Sequence, residues 1–94
     1  MSESNIYVDD YHFEASVKGK KRRWSHLMAI PRDDDILHAF VASIGLKRDW
    51  FQPVSYPHYD VTDWMRDRAL QAGATPITAR DAYKLRKQLN EEGK

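Results

Sequence analysis

Apolar side chains recur along this chain in two rhythms, every second residue in short stretches and every third or fourth in longer ones, and the switches between them mark its elements. Ile6-Tyr7-Val8 is β-branched and aromatic and runs into Asp9-Asp10, which predicts a short first strand ending in carboxylates. Tyr11 to Val17 alternates in part and predicts a second, outer strand. Lys18 to Arg23 reads as a solvated basic turn before the segment Trp24 to Ala29, which Pro31 closes. Asp33, Asp34 and Asp35 offer a helix cap and favourable first-turn charge, and Ile36, Leu37, Phe40, Val41 and Ile44 follow at helical spacing up to Gly45. The apolar stripe of that helix centres on Ile36, Leu37, Phe40 and Ile44 and leaves His38 beyond its edge.

Leu46 to Phe51 predicts another strand, and Pro53 and Pro57 make residues 52–57 a loop that delivers His58. His58-Tyr59-Asp60-Val61 then alternates as an extended segment, so His58 and Asp60 point the same way. Thr62 or Asp63 can cap a helix running to about Ala72, with Met65, Ala69 and Ala72 inward and Gly73 as its stop. Pro76-Ile77-Thr78 is a minimal strand, and Thr78 with Asp81 opens a last helix carrying Ala82, Leu85 and Leu89. The succession predicts a small single-domain α/β fold over residues 6–90, a parallel or mixed sheet with about three helices, between a disordered N-terminus at 1–5 and a frayed C-terminus at 91–94.

A chain of 94 residues suffices for one core and not for two. Its 41% hydrophobic and 31% charged residues with a formal net charge of +1 describe an ordinary soluble globular protein more than a disordered or strongly basic one. Without cysteine there is no disulfide framework and no thiolate site, and the cytoplasm is the expected compartment. Met1-Ser2-Glu3-Ser4-Asn5 has neither a basic start nor an apolar run, and no stretch reaches the roughly 18 apolar residues of a membrane span, so neither a signal peptide nor a membrane partner is expected. Neither GxGxxG nor GxxxxGK[ST] occurs, which argues against dinucleotide and P-loop sites.

Val8-Asp9, Trp24-Ser25-His26-Leu27, Leu37-His38-Ala39-Phe40, Gly45-Leu46, His58-Tyr59-Asp60-Val61 and Gly73-Ala74 followed by Arg80 stand in an order and spacing that resembles a small bacterial and phage domain family, catalogued as domain-of-unknown-function family 4031. The resemblance covers roughly residues 6 to 90. It brings no activity with it, but it singles out Asp9, Trp24, Ser25, His26, His38, His58, Tyr59, Asp60 and Arg80, and it implies a bacterium or a phage-infected cell as the setting. Thr62 stands where the family usually has proline, and the Lys/Arg-rich segment and the 52–57 loop also depart from the pattern.

Imidazoles and carboxylates on separate segments carry the candidate chemistry. If His26, His38, His58 and Asp60 converge, they make a nitrogen and oxygen site suited to a divalent metal such as zinc or manganese. No HExxH or other local metal motif is present, so convergence has to come from the fold; otherwise a buried histidine bonded to a carbonyl or carboxylate simply braces a loop. A metal-free site would use His58 as general base with Asp60 or Asp9 orienting it, Asp9 being an alternative base, and Arg80 beside a helix N-terminus holding a phosphate. Trp24 and Tyr59 complete the expected ligand contacts. Ser25 adjoins His26 but points to the opposite strand face and lacks an oxyanion-hole motif.

The function these residues suggest is a site that binds or hydrolyses a phosphate-containing compound, with or without a divalent metal. The alternative is a non-enzymatic phage or bacterial accessory protein that binds nucleic acid or a host protein through Lys18, Lys20, Lys21, Arg22 and Arg23. A solvated hairpin tip explains the same charge run, and Trp24, Trp50 and Trp64 are ordinarily core residues in so small a chain.

Overall fold

The structure is a computed structural model that describes residues 5–10, 13–17, 20–53 and 56–92. Its centre is the long strand β3 (Lys20–Ile30), with every other strand added to one of its edges or to a neighbour. On one edge β3 pairs antiparallel with β1 (Asn5–Val8) through Leu27 to Ile30 and with β2 (Phe13–Val17) through Lys20 to Trp24. On the other it pairs with β5 (His58–Thr62), which carries the two-residue β4 (Phe51–Gln52) outside it. The short β6 (Thr75–Pro76) runs parallel to β1 and closes the opposite side. The sheet is therefore mixed, with parallel pairing confined to β1 and β6 among the described residues.

Helices α1 (Asp34–Ser43) and α2 (Asp63–Gln71) lie on one face of the sheet and α3 (Ala79–Glu92) on the other. Asp33 caps α1 by accepting the Ile36 N–H at 3.1 Å, as the aspartate run suggested. Both helices on that face stop the same way: Gly45 (φ +86°) and Gly73 (φ +110°) take the left-handed conformation that glycine adopts without strain. The following Leu46 and Ala74 N–H groups then reach back to the Val41 and Ala69 carbonyls at 2.9 Å. On the far face Thr78 Oγ1 accepts the Asp81 N–H at 3.0 Å, and Asp10 Oδ1 accepts the Ala79 N–H at 2.8 Å, so α3 starts where β1 ends.

Strand parity sorts the core. Val8, Leu27, Ala29, Tyr59 and Val61 meet Leu37, Val41, Ile44 and Ala69 of α1 and α2, while Met28 and Ile30 meet Ala82 and the partly buried Leu85 and Leu89 of α3. Burial of these apolar surfaces is the main source of stability for a chain without cysteine.

Several local expectations need correction. Leu46 to Phe51 is not a strand; Arg48–Trp50 forms a 3₁₀ turn and only Phe51 and Gln52 are extended, because Lys47-Arg48-Asp49 supplies three consecutive charges and no alternation. Lys20 to Arg23 is strand rather than turn, while Lys18, Gly19, Tyr11, His12 and residues 1–4 lie outside the described residues. The stripe of α1 runs through Leu37, Val41 and Ile44 with Ile36 exposed, and Ala72 is exposed after the last turn of α2. Asn5 already belongs to β1, and α3 continues through Glu92, with residues 93–94 outside the described ones. None of the three tryptophans joins the buried core: Trp50 and Trp64 are exposed and Trp24 is half-buried. Among the described residues no helix is long and apolar enough to cross a membrane.

Candidate functional site

The alternation of β5 places His58 and Asp60 on the α3 face of the sheet, and the register brings His26 of β3 directly opposite Asp60. Three side chains from two neighbouring strands therefore share one patch, with one ligand-type atom from each lying within 4.8 Å of the others. The His26 and His58 rings meet edge to face, with centroids 4.9 Å apart.

Each imidazole is held from behind. Asp9, just past β1 and only 3% exposed, accepts the His26 backbone N–H through Oδ1 and meets the ring Nδ1 through Oδ2, both at 2.8 Å. A carboxylate accepts only, so Nδ1 carries the proton and Nε2 faces the patch. His58 Nδ1 donates to the Tyr56 carbonyl at 2.7 Å, which turns its Nε2 the same way. Asp60 Oδ1 lies 3.3 Å from His58 Nε2 and 3.9 Å from His26 Nε2. That oxygen is sealed from solvent and has no hydrogen-bond partner among the described residues. The Asp9 hydrogen bond raises the His26 pKa above its ordinary 6.5, against the opposing effect of burial; the Asp9 and Asp60 charges raise it further and Arg86 lowers it.

In front of the histidines lies a cavity of about 320 Å³, bounded by Asp9, His26, Tyr56, His58, Arg86 and the first turns of α3. Arg86 is its cation, with the guanidinium 4.9 Å from the centre of the Tyr56 ring and Nη1 3.8 Å from Met28 Sδ. Tyr56 in turn donates its hydroxyl to the Ala29 carbonyl at 2.6 Å, and burial pushes its phenol pKa up. The wall of the cavity thus includes an arginine, two histidines and the buried Asp9 carboxylate.

Not every expected residue comes to this wall. His38 sits on α1 behind the sheet, its Nδ1 2.7 Å from Tyr59 Oη and its ring against Phe51. Tyr59 is fully buried and faces His38, because it stands between His58 and Asp60 in the strand and so points the other way; its phenol pKa is raised by that burial. Neither the His38 imidazole nor the Tyr59 hydroxyl lies on the patch, which removes His38 from the metal set and Tyr59 from the ligand contacts. Ser25 is buried on that same far face. Asp9 has both oxygens engaged by His26. Arg80 is exposed in the first turn of α3 and does not border the cavity; Arg86 does. Arg86 follows the buried Ala82 by one helical turn, and that spacing was the available signal for it. Trp24 flanks Asp60 on the same face, two residues before His26. The backbone of Lys20 to Arg23 lies in β3, and Lys18 is outside the described residues.

A family model described as a protein of unknown function (DUF4031) matches residues 6–89 of the chain. No curated protein and no solved structure matches it.

Proposed function

Since the chain belongs to the DUF4031 family, described as of unknown function, its chemistry has to be read from its own residues, and we propose that the His/Asp cleft binds and hydrolyses a phosphate-containing compound with the help of a divalent cation held by His26, His58 and Asp60. One observation carries this reading: the Asp60 carboxylate oxygen, sealed and without a hydrogen-bond partner among the described residues, faces two imidazole nitrogens whose rings are braced from behind. A buried unpaired carboxylate oxygen costs stability, so its retention calls for an occupant. Two imidazoles and one carboxylate suit zinc or manganese, three protein ligands leave coordination positions open as in catalytic sites, and the Asp9-His26 pair matches the outer-shell bracing that metal-bound histidines use.

Such a cation would supply a nucleophilic water near neutral pH and a Lewis acid for a phosphoryl oxygen. The chain's own part is positioning. Arg86 faces the cavity with a planar fork of donors suited to two phosphate oxygens, and its stacking on Tyr56 limits the freedom lost on binding. Asp9 holds His26 in one tautomer.

The competing occupant of the gap is a proton on one imidazole, with Asp60 as its counter-ion. Calorimetric titration of chelator-washed protein with zinc and with manganese separates the two. Binding of one equivalent, lost in D60N, together with phosphomonoester or phosphodiester hydrolysis that D60N abolishes and R86Q weakens mainly through KM, is the expected result. Absence of stoichiometric binding of either metal overturns the metal reading, and metal binding without hydrolysis or phosphate affinity overturns the phosphate one.

A further inference from the structure

A second cavity of about 280 Å³ is lined by Asp60, whose Oδ1 lies 3.3 Å from Nε2 of His58 in the wall of the first. Strand parity builds it. Gln52 of β4 is the cross-strand partner of His58 and Trp24 of β3 that of Thr62, so Gln52, Asp60 and Trp24 all stand on the sheet face that carries the histidines. The 3₁₀ turn adds Asp49 and Trp50, and Met65 of α2 closes one end.

The lining is unlike that of the first cavity. Two indoles provide flat apolar surface, one of them Trp50 at 42% exposure. The Trp24 Nε1–H is sealed from solvent and has no acceptor among the described residues. Gln52 offers a donor and an acceptor, and Asp49 an acceptor. The charged groups among the described lining residues are Asp49 and Asp60, both negative, so the lining itself offers phosphate no cation; Lys47 Nζ stands outside it, 5.8 Å from the centre of the Trp50 ring. Arg86, in the first cavity, attracts it. A molecule that satisfies both has an uncharged planar ring with hydrogen-bonding edges at one end and a phosphate at the other.

We propose that the Trp24, Trp50 and Gln52 cavity is a base-binding subsite and that the substrate class of the cleft is a nucleotide, free or within a single strand, its base stacked on the indoles and its phosphate directed past Asp60 to the His26, His58 and Arg86 wall. This rests on the phosphate reading of the first cavity and adds the identity of what carries the phosphate. Stacking suits it because every base presents a π-face, and the cavity lies just below the roughly 300–1,000 Å³ of pockets that enclose drug-sized ligands, which is room for one ring system.

Binding of guanosine 5′-monophosphate, guanosine, ribose 5-phosphate and a short single-stranded oligonucleotide to full-length manganese-loaded protein tests it, read by calorimetry. The nucleotide should bind about tenfold or more tighter than ribose 5-phosphate, and W50A should erase that advantage while leaving ribose 5-phosphate affinity unchanged. Trp50 is exposed enough for its loss to spare the fold, and Q52A provides a second variant with the same expected direction. Equal affinity for the nucleotide and ribose 5-phosphate, or a W50A loss shared equally by both, overturns the base subsite. Guanosine binding without ribose 5-phosphate binding keeps the base subsite and overturns the phosphate reading instead. The oligonucleotide arm tells whether a free or a strand-borne nucleotide is preferred; binding of either above ribose 5-phosphate supports the subsite.

Discussion

Replacing Asp60 with asparagine keeps the shape of the side chain and removes the charge, so it separates a structural from a functional role. A carboxylate oxygen without a hydrogen-bond partner contributes little to the metal-free fold, and D60N should melt at or above the wild-type temperature in chelator. The same variant should lose the rise in melting temperature that zinc gives the wild type. A D60N protein that is markedly less stable in chelator would mean that Asp60 holds the fold rather than an ion. His26 makes a second test. Its pKa is raised in the folded metal-free protein above the ordinary 6.5, chiefly by Asp9, so the protonated form favours folding. That contribution is complete below about pH 6.5 and is lost as pH rises through the raised folded value. Urea titrations in chelator should show stability falling across that window in the wild type, and D9N should flatten the slope. A slope of opposite sign would contradict the Asp9 pairing as the controlling interaction.

Each face of β3 and β5 carries its own task, and variants on one face should leave the other's task intact. Leu37 of α1 is buried against the face opposite the histidines, and L37A should cost about 2–5 kcal/mol in urea unfolding while metal affinity stays unchanged in protein that remains folded. H38A should cost about 1–3 kcal/mol, because it strands the buried Tyr59 hydroxyl, and Y59F should cost less since it removes the group that needs a partner. Either variant weakening metal binding as strongly as H58A would argue that the two faces are coupled. The helices were legible for a physical reason: caps and stops such as Asp33, Gly45, Gly73 and Thr78 are local, and the structure uses all four. The shared orientation of His58 and Asp60 was legible because strand parity is local too. His26 opposite Asp60 was not, since register between β3 and β5 depends on pairing across more than thirty residues of chain. Grouping His38 with the other histidines failed because parity had already turned Tyr59, and with it the α1 side of the sheet, away from them. Arg86 escaped notice because the way α3 crosses the sheet, rather than any motif, brings it to the cavity.

At the scale of the molecule, the cleft joins parts of the sheet that are distant in the chain. Asp9 follows β1, His26 lies in β3, and His58 and Asp60 lie in β5, whose outer neighbour is only the two-residue β4. Edges of this kind open locally before the whole domain unfolds, since few hydrogen bonds must break. A cation shared by His26, His58 and Asp60 would tie β5 to β3 and penalise that opening directly. It would also stabilise the whole fold by mass action, about 2.7 kcal/mol at a hundredfold excess over Kd. These two effects differ in space, and native-state hydrogen exchange resolves them. Amides of β5 that exchange through local opening should slow on zinc addition by more than amides of α1, because only the former lie in the segment the ion closes. Protection gained at α1 and β5 alike would place binding on global unfolding alone, and protection gained at neither would leave the three ligands as an uncoupled cluster. The first pattern requires that the ion be held by the strands as they pair in the native sheet, which the sealed Asp60 oxygen between two braced imidazoles provides.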